Sequence, residues 1–515
     1  MELHQVIEFY KNGRQSSELY SMLFNQQKKT VYLSGLTGSA GALFIAGYYN
    51  QFTGPILVLL GDREEAAYFQ NDLENLLGEN RVLLFPSSYK KPYKVDQLDS
   101  SLVLQRAEVL TRINKSDNLI IVSYPEAIQE KVITKKSLER NTLEIKINER
   151  LSTDFIQEFL LENKFERTDF VYEPGQFAIR GGIVDIYSFA HELPYRIEFY
   201  NDKIESIRCF DPSTQLSEKN IGFVTIIPNI QTGIVKEEQE SFFNFISKNT
   251  LFFIKDLEYV YQCIEASQEV TEQNYGSNIF YEAEQVERNI DEIFDSIDDF
   301  KASLALRTLI EFGSKPYNND APVIEFKTKP QPHFNKNFNL LLENLYLSQK
   351  KNFINLLFSD SAKQAERIHS IFEDIPRPDE FKGKELKFHT LLTSLHQGFI
   401  DEELKINLYT DHQIFDRYHR FRLKKNYSKS ESITLKELYS LKPGDFITHI
   451  DHGVGRFAGL ETMDVNGKPQ EAIRLVYKDN DILYISIHSL HRIARYSSKD
   501  GNAPTLNKLG STAWA

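Results

Sequence analysis

The residues that come nearest to a recognisable chemistry are Gly35, Leu36, Thr37, Gly38, Ser39, Ala40, Gly41 and Ala42. They form a glycine turn behind the apolar run VYLSGL and ahead of the helix-like run GALFIAGYY. Strand, glycine turn and helix is the setting in which backbone amides wrap phosphates, a lysine reaches the β and γ phosphates and a hydroxyl holds magnesium. Counted from Gly35, the positions for the second glycine, the lysine and the hydroxyl hold Ala40, Gly41 and Ala42. Amides at a helix start remain, but charge neutralisation and the metal ligand are gone. An ordinary strand-to-helix turn is therefore favoured over nucleotide hydrolysis. No strand-ending acidic helicase box of the Asp-Glu-x-His or Asp-Glu-x-Asp kind accompanies it.

Other reactive residue types form no catalytic set. His449 and His452 flank Asp451, and His488 and His491 repeat the spacing. A zinc site needs three or four converging ligands, so a glycine-flanked turn explains HIDHGVG better. No nucleophile stands beside a base, and no carboxylate pair has recognisable spacing. What remains is suited to docking. Arg167, Phe177, Arg180, Gly181 and Gly182 share one surface if a hairpin folds around Glu173 to Gly175, and two guanidiniums with one ring suit an acidic partner. The plain alternative makes Phe177 core and the arginines ordinary surface cations. Near the C-terminus, Leu460 and Met463 lie near the strand GLETM, which as an edge extends a partner's sheet, while Arg474 and Val476 alternate with Ile473, Leu475 and Tyr477. Met463 equally fits a core role.

These residues need elements to hold them. From Val31 to about Glu130, short apolar runs alternate with amphipathic stretches, the rhythm of a parallel α/β sheet. Residues 1–130 are read as its first part, 131–228 as a strand-rich α+β insert, and 229–327 as its second part. Residues 328–423 form a small α/β middle domain. A polar linker with a short helix covers 424–441, and the short alternating strands of 442–500 predict a small antiparallel β-barrel. Residues 501–515 begin a connector. The fold class is multi-domain α/β and β.

Bulk properties agree with this division. A chain of 515 residues calls for about three to five compact units. Its 41% hydrophobic content fills several cores, and a formal charge of −13 opposes indiscriminate attraction to phosphate backbones. Cys209 and Cys263 are the only cysteines, which argues against a disulfide framework. No apolar run approaches the ~20 residues that span a bilayer, so a cytoplasmic protein without membrane contact is expected.

The motifs GLTGSAGAL, VLLFPSSYKKPY, IIVSYPEAI and FVYEPGQFAIRGGIVDIYSF resemble the UvrB-like amino-terminal module of the bacterial transcription-repair coupling factors, the Mfd family. The stretch PGDFITHIDHGVGRFAGLETM through ILYISIHSLHRIARY resembles that family's CarD-like, RNA-polymerase-interacting domain. UvrB itself carries an intact phosphate loop, whereas the coupling factors resemble it with the loop eroded. The resemblance implies a monomeric docking scaffold, not an enzyme. The insert would bind UvrA through Arg167, Phe177, Arg180, Gly181 and Gly182. The barrel would bind the RNA polymerase β subunit through Leu460, Glu461, Met463 and Arg474. It implies no cofactor for this chain, with ATP, magnesium and most DNA contact left to a motor beyond KLGSTAWA. The rival reading is a UvrB- or helicase-type ATPase acting on damaged DNA. A third is a polymerase-binding regulator of the stand-alone CarD kind.

Overall fold

The computed structural model describes residues 1–417 except 53, 90–98, 117, 190–192, 213, 228–238, 282–285, 377–382 and 384. It also describes 441–495 except 450–451, 466–467 and 487–492, and residues 506 and 508. The linker at 424–440, His488, His491, Asp451 and nearly all of the connector lie outside the described residues. Two compact units emerge, 1–139 with 234–422, and 140–233 with 423–515. Among the described residues no helix is long and apolar enough to cross a membrane.

The first unit is organised by a seven-stranded sheet in the order Val323–Glu325, Thr30–Ser34, Thr308–Phe312, Leu251–Lys255, Ile56–Leu59, Ile120–Ser123 and Val82–Leu84. Every pairing is parallel. Strands from both sides of the insert thus lie in one sheet. The central runs, such as ILVL and IIVS, are buried throughout, as a sheet covered on both faces requires. Helix Ala40–Tyr49 is buried at all ten positions. Residues 131–139, read from sequence as the start of the insert, belong to this unit, where Val132–Ile133 pairs with Gln239–Glu240.

The segment 328–423 is not an independent domain. It has its own five-stranded sheet, ordered Thr328–Pro330, Phe399–Asp401, Ile406–Thr410, Ile354–Phe358 and His389–Leu391. One face, with Leu357 and Tyr409, packs with Leu341, Leu345 and Ile368 of helices Phe338–Lys350 and Ala362–Asp374. The other face, with Leu356, Phe358, Phe399 and Leu408, joins the same core as Val31, Leu43 and Ile310 of the parallel sheet. Two buried faces explain the consecutive apolar residues Leu356, Leu357 and Phe358. Removing that second face from water is the hydrophobic term that welds the two sheets into one unit.

In the second unit, the insert forms a six-stranded sheet ordered Ser217–Asn220, Lys203–Phe210, Tyr195–Tyr200, Ile183–Ile186, Gln176–Arg180 and Glu166–Arg167. Helix Thr153–Glu162, capped by the Ser152 hydroxyl on the Phe155 amide at 3.1 Å, lays Ile156 and Leu160 against one face. The wholly exposed edge strand SEKN is charged, which discourages further strand pairing. The C-terminal segment is an antiparallel five-stranded sheet ordered Ile482–Ser486, Lys468–Val476, Gly453–Val465, Phe446–His449 and Ile493–Arg495. Ile473, Leu475 and Tyr477 alternate into its core.

Candidate functional sites

The eroded phosphate loop joins strand Thr30–Ser34 to helix Ala40–Tyr49, at the carboxyl end of the parallel strands. That end is where open α/β sheets form ligand crevices. Several of its amides have partners within the chain. The Thr37 amide donates to Thr328 Oγ1 at 2.9 Å, and the Ser39 amide donates to the Gln397 carbonyl at 3.0 Å. Ser39 Oγ accepts from the Gln397 amide at 3.0 Å and donates to Asp72 Oδ2 at 2.6 Å. Asp72 also accepts from the His396 amide at 2.6 Å. Helix Arg63–Leu77 carries Tyr68, Asp72 and Asn75 on one face toward this point, as its 3.6-residue period allows. Gly41 and Ala42 are buried in helix Ala40–Tyr49. A crevice of about 360 Å³ remains beside the loop, lined by Asp62, Glu64, Glu65, Asp72 and Lys255 among others. Lys255 is paired with Glu65.

Burial pushes the Asp72 carboxyl up to about 7, against the pull of its hydrogen bonds from Ser39 and the His396 amide. Its pKa is thus higher folded than unfolded, so the native chain keeps a proton that the unfolded chain releases above about pH 4. The resulting stability is complete below that pH and is lost as pH rises through about 7. Asp72→Asn, always neutral, is expected to gain on the natural chain across this window by on the order of 1–4 kcal/mol. Urea unfolding from pH 4 to about 8 measures the divergence. Parallel curves would mean that Asp72 is ionised throughout.

In the insert, the predicted shared surface is not formed. Glu166–Arg167 runs parallel to Gln176–Arg180, not as a hairpin, with Arg167 in register with Phe177. Phe177 is 0% exposed in the core beneath helix Thr153–Glu162, so it is not a surface contact. Arg167, on Phe177's side of the sheet, is exposed and donates to Gln157 of that helix at 3.4 Å. Arg180, three residues beyond Phe177, points from the opposite face. There its Nη1 donates to the Asp169 carbonyl at 2.7 Å, its guanidinium lies 4.7 Å from the Phe170 ring centre, and it pairs with Asp185. Asp185, 0% exposed, also accepts from Arg196 at 2.8 and 2.9 Å. This bond and the adjacent carboxylate raise the Arg196 pKa. Arg196 rests 4.4 Å from the Phe210 ring centre. Gly181 takes a left-handed φ of +60°, and a side chain at Gly182 would strike the Phe199 carbonyl at 2.8 Å. Both glycines therefore shape the turn that carries Arg180.

Asp185 and Arg196 were missed in the sequence. Their signal was a charge interrupting each of the apolar strands IVDI and YRIEFY, at positions that face each other across the ladder.

In the C-terminal sheet, Glu461, Arg474 and Tyr484 form an outward cluster. Arg474 donates to Glu461 Oε1 at 2.7 Å and the Tyr484 hydroxyl to Oε2 at 2.8 Å. The Tyr484 bond and then Arg474 hold the Glu461 carboxyl below its ordinary range. Leu460 lies opposite Ile473 and packs against the core, so it is not the exposed contact predicted. Met463 sits opposite Gln470 on the strand, its side chain outside the described residues. Ladder Phe446–His449 reaches only to Arg456. From Leu460 to Val465 the strand is therefore laddered on one side only among the described residues. His449 and His452 stack with ring centres 4.7 Å apart, and no group of three or more metal-binding side chains exists among the described residues.

Comparison with known proteins matches residues 143–231 to the UvrB interaction domain family and residues 441–497 to the CarD-like/TRCF RID domain family. The chain is 23% identical to a transcription-repair-coupling factor of Bacillus subtilis, over 94% of this chain and 47% of that protein. It is 25% identical to that of Haemophilus influenzae, with the same coverage. For Staphylococcus haemolyticus the figures are 21%, 99% and 48%. The chain spans about half the length of the curated relatives it matches.

Proposed function

Since this chain is a relative of the transcription-repair-coupling factors over almost its whole length, we infer that it is a docking scaffold of transcription-coupled DNA repair. The insert recruits UvrA, and the C-terminal sheet binds the β subunit of RNA polymerase. The observation that carries the reading is that the two family matches each fall on a separate sheet with its own core and its own outward charged cluster. On the insert, the cluster is Arg180 with Arg196, held by Asp185 and backed by Phe170 and Phe210. A preset guanidinium with a ring beside it suits a carboxylate on the partner, because little side-chain freedom is lost on binding. On the C-terminal sheet, the one-sided strand at 460–465 offers main-chain groups to a partner strand, and Glu461 and Arg474 fix its register.

In this reading the chain hydrolyses no nucleotide, works as a monomer and needs no cofactor. The ATP-driven translocation of DNA that the family carries out is assigned to the half of the relatives' length that this chain does not match. Calorimetric titration against purified UvrA and, separately, the polymerase β subunit tests it, with ATP turnover followed alongside. Arg180→Ala is expected to weaken UvrA binding by ~1–3 kcal/mol, and Arg167→Ala, on the other face, by much less. Glu461→Lys is expected to weaken β-subunit binding and leave UvrA binding intact. Magnesium-dependent ATP turnover, or binding to neither protein, would contradict the scaffold.

A further inference from the structure

We propose that the loop at 394–398 is a built-in occupant of the phosphate seat, and that the seat now serves to fasten the middle sheet to the parallel sheet. The role of the segment 328–423 at this end is therefore that of a plug, and anion binding at 35–42 and attachment of the plug are mutually exclusive. This inference stands apart from the docking reading, because it involves neither the insert nor the C-terminal sheet.

A phosphate on such a loop is held by amide N–H groups at the turn and the helix start. Here the acceptor for the Ser39 amide is the Gln397 carbonyl, and the Gln397 amide returns a bond to Ser39 Oγ, so the two residues are linked in both directions. Gly38 stands against the plug at φ +55°, and a Cβ there would lie 3.0 Å from the Gly398 carbonyl oxygen and 3.1 Å from that of Gln397. At Gly38 the plug's backbone comes too close for any side chain. Around it, Asp72 holds the His396 amide, Asn75 donates to the Ser394 carbonyl at 2.9 Å, and the His396 ring stacks on Tyr68 at 3.8 Å. In the space left beside the plug, Lys255 is already paired with Glu65, and Asp62 and Glu64 add negative charge that disfavours an anion.

A second fastening holds the middle sheet elsewhere. The Tyr10 hydroxyl donates to Asp401 at 3.0 Å, and Arg14 and Gln15 bind Glu403 at 3.0 and 2.7 Å. Loosening the plug therefore leaves the strands of the middle sheet in place.

Hydrogen exchange on the whole chain, natural and with Ser39→Ala, Asp72→Ala or Asp72→Asn, tests the proposal. In the natural chain the amides of Ser39, His396 and Gln397 are expected to be protected, and excess inorganic phosphate to change nothing. Ser39→Ala and Asp72→Ala should each speed exchange at 394–398 by about tenfold or more, the loss of one or two buried hydrogen bonds, with strand Ile406–Thr410 unaffected. Asp72→Asn, which keeps a carbonyl for the His396 amide, should restore most of the protection there. Unprotected amides in the natural chain would overturn the proposal. So would protection unmoved by Ser39→Ala, an equal rise along Ile406–Thr410 in Ser39→Ala, or slower exchange at 35–42 on adding phosphate.

Discussion

Arg106→Met is expected to destabilise the first unit by about 3–5 kcal/mol, the usual consequence of stripping one partner from a buried ion pair. Arg106 is 1% exposed on helix Ser100–Lys115. Its Nη1 donates to the carbonyls of Pro86 and Ala127 at 2.7 and 2.9 Å, its Nη2 to that of Glu130, and its Nε lies 3.5 Å from the Glu130 carboxylate. The guanidinium covers the Phe85 ring at 4.2 Å. Glu130, 1% exposed, accepts from the Ser88 amide at 2.8 Å and from both the Ser87 and Ser88 hydroxyls. One cation thus ties the turn FPSSY to the end of the segment IIVSYPEAI. Burial lowers the Arg106 pKa and Glu130 opposes this; guanidinium, with its very high intrinsic pKa, stays charged. Methionine fills much of the volume but leaves the buried Glu130 carboxyl without its cation and three carbonyls without a donor. Urea unfolding followed at the first unit measures the loss. The double variant with Glu130→Gln should recover part of it, because the unpartnered acid is replaced by a neutral amide. A loss below about 1 kcal/mol would show that water replaces the guanidinium there.

Asp185→Ala is expected to cost the insert about 2–4 kcal/mol, a buried-pair penalty reduced because the Arg180 side chain is 35% exposed and partly screened. Asp185 is paired with both Arg180 and Arg196. Without it, two like charges face each other over Phe170 and Phe210, and Arg180 loses its fixed direction. Affinity for UvrA should therefore fall at least as far as in Arg180→Ala, with the insert still folded at low temperature. Hydrogen exchange in strands Gln176–Arg180 and Tyr195–Tyr200 reports stability, and the titration reports binding. An Asp185→Ala chain that binds as tightly as the natural one would remove this face from the docking surface.

Much of this protein could be read along the chain, and the particular residues show why. Apolar runs such as ILVL, IIVS and INLLF announce strands because burial and period are local properties. Ala40, Gly41 and Ala42 declare the lost lysine and hydroxyl by identity alone. The pairing of Arg167 was misread because a glycine turn fits a hairpin, whereas the real partner runs parallel, and direction depends on the chain path outside the turn. Leu460 was placed outside by its neighbours in sequence, although the ladder to Ile473 puts it on the inner face.

The amino-acid sequence by itself determined many of the strands and helices, that the phosphate loop has lost its charged groups, and which two modules resemble docking domains. Only the tertiary structure decided that the middle sheet shares a core with the parallel sheet, and that Asp72, a helix acid like any other in REEAAYFQNDLENLL, closes on a loop 324 residues away. It also decided that Phe177 is core while Arg180 and Arg196 converge on Asp185. The reason is physical: secondary structure follows the periodicity of neighbours, whereas the partner of a buried charge or of a second apolar face is chosen by removing both from water together, at whatever separation the fold allows.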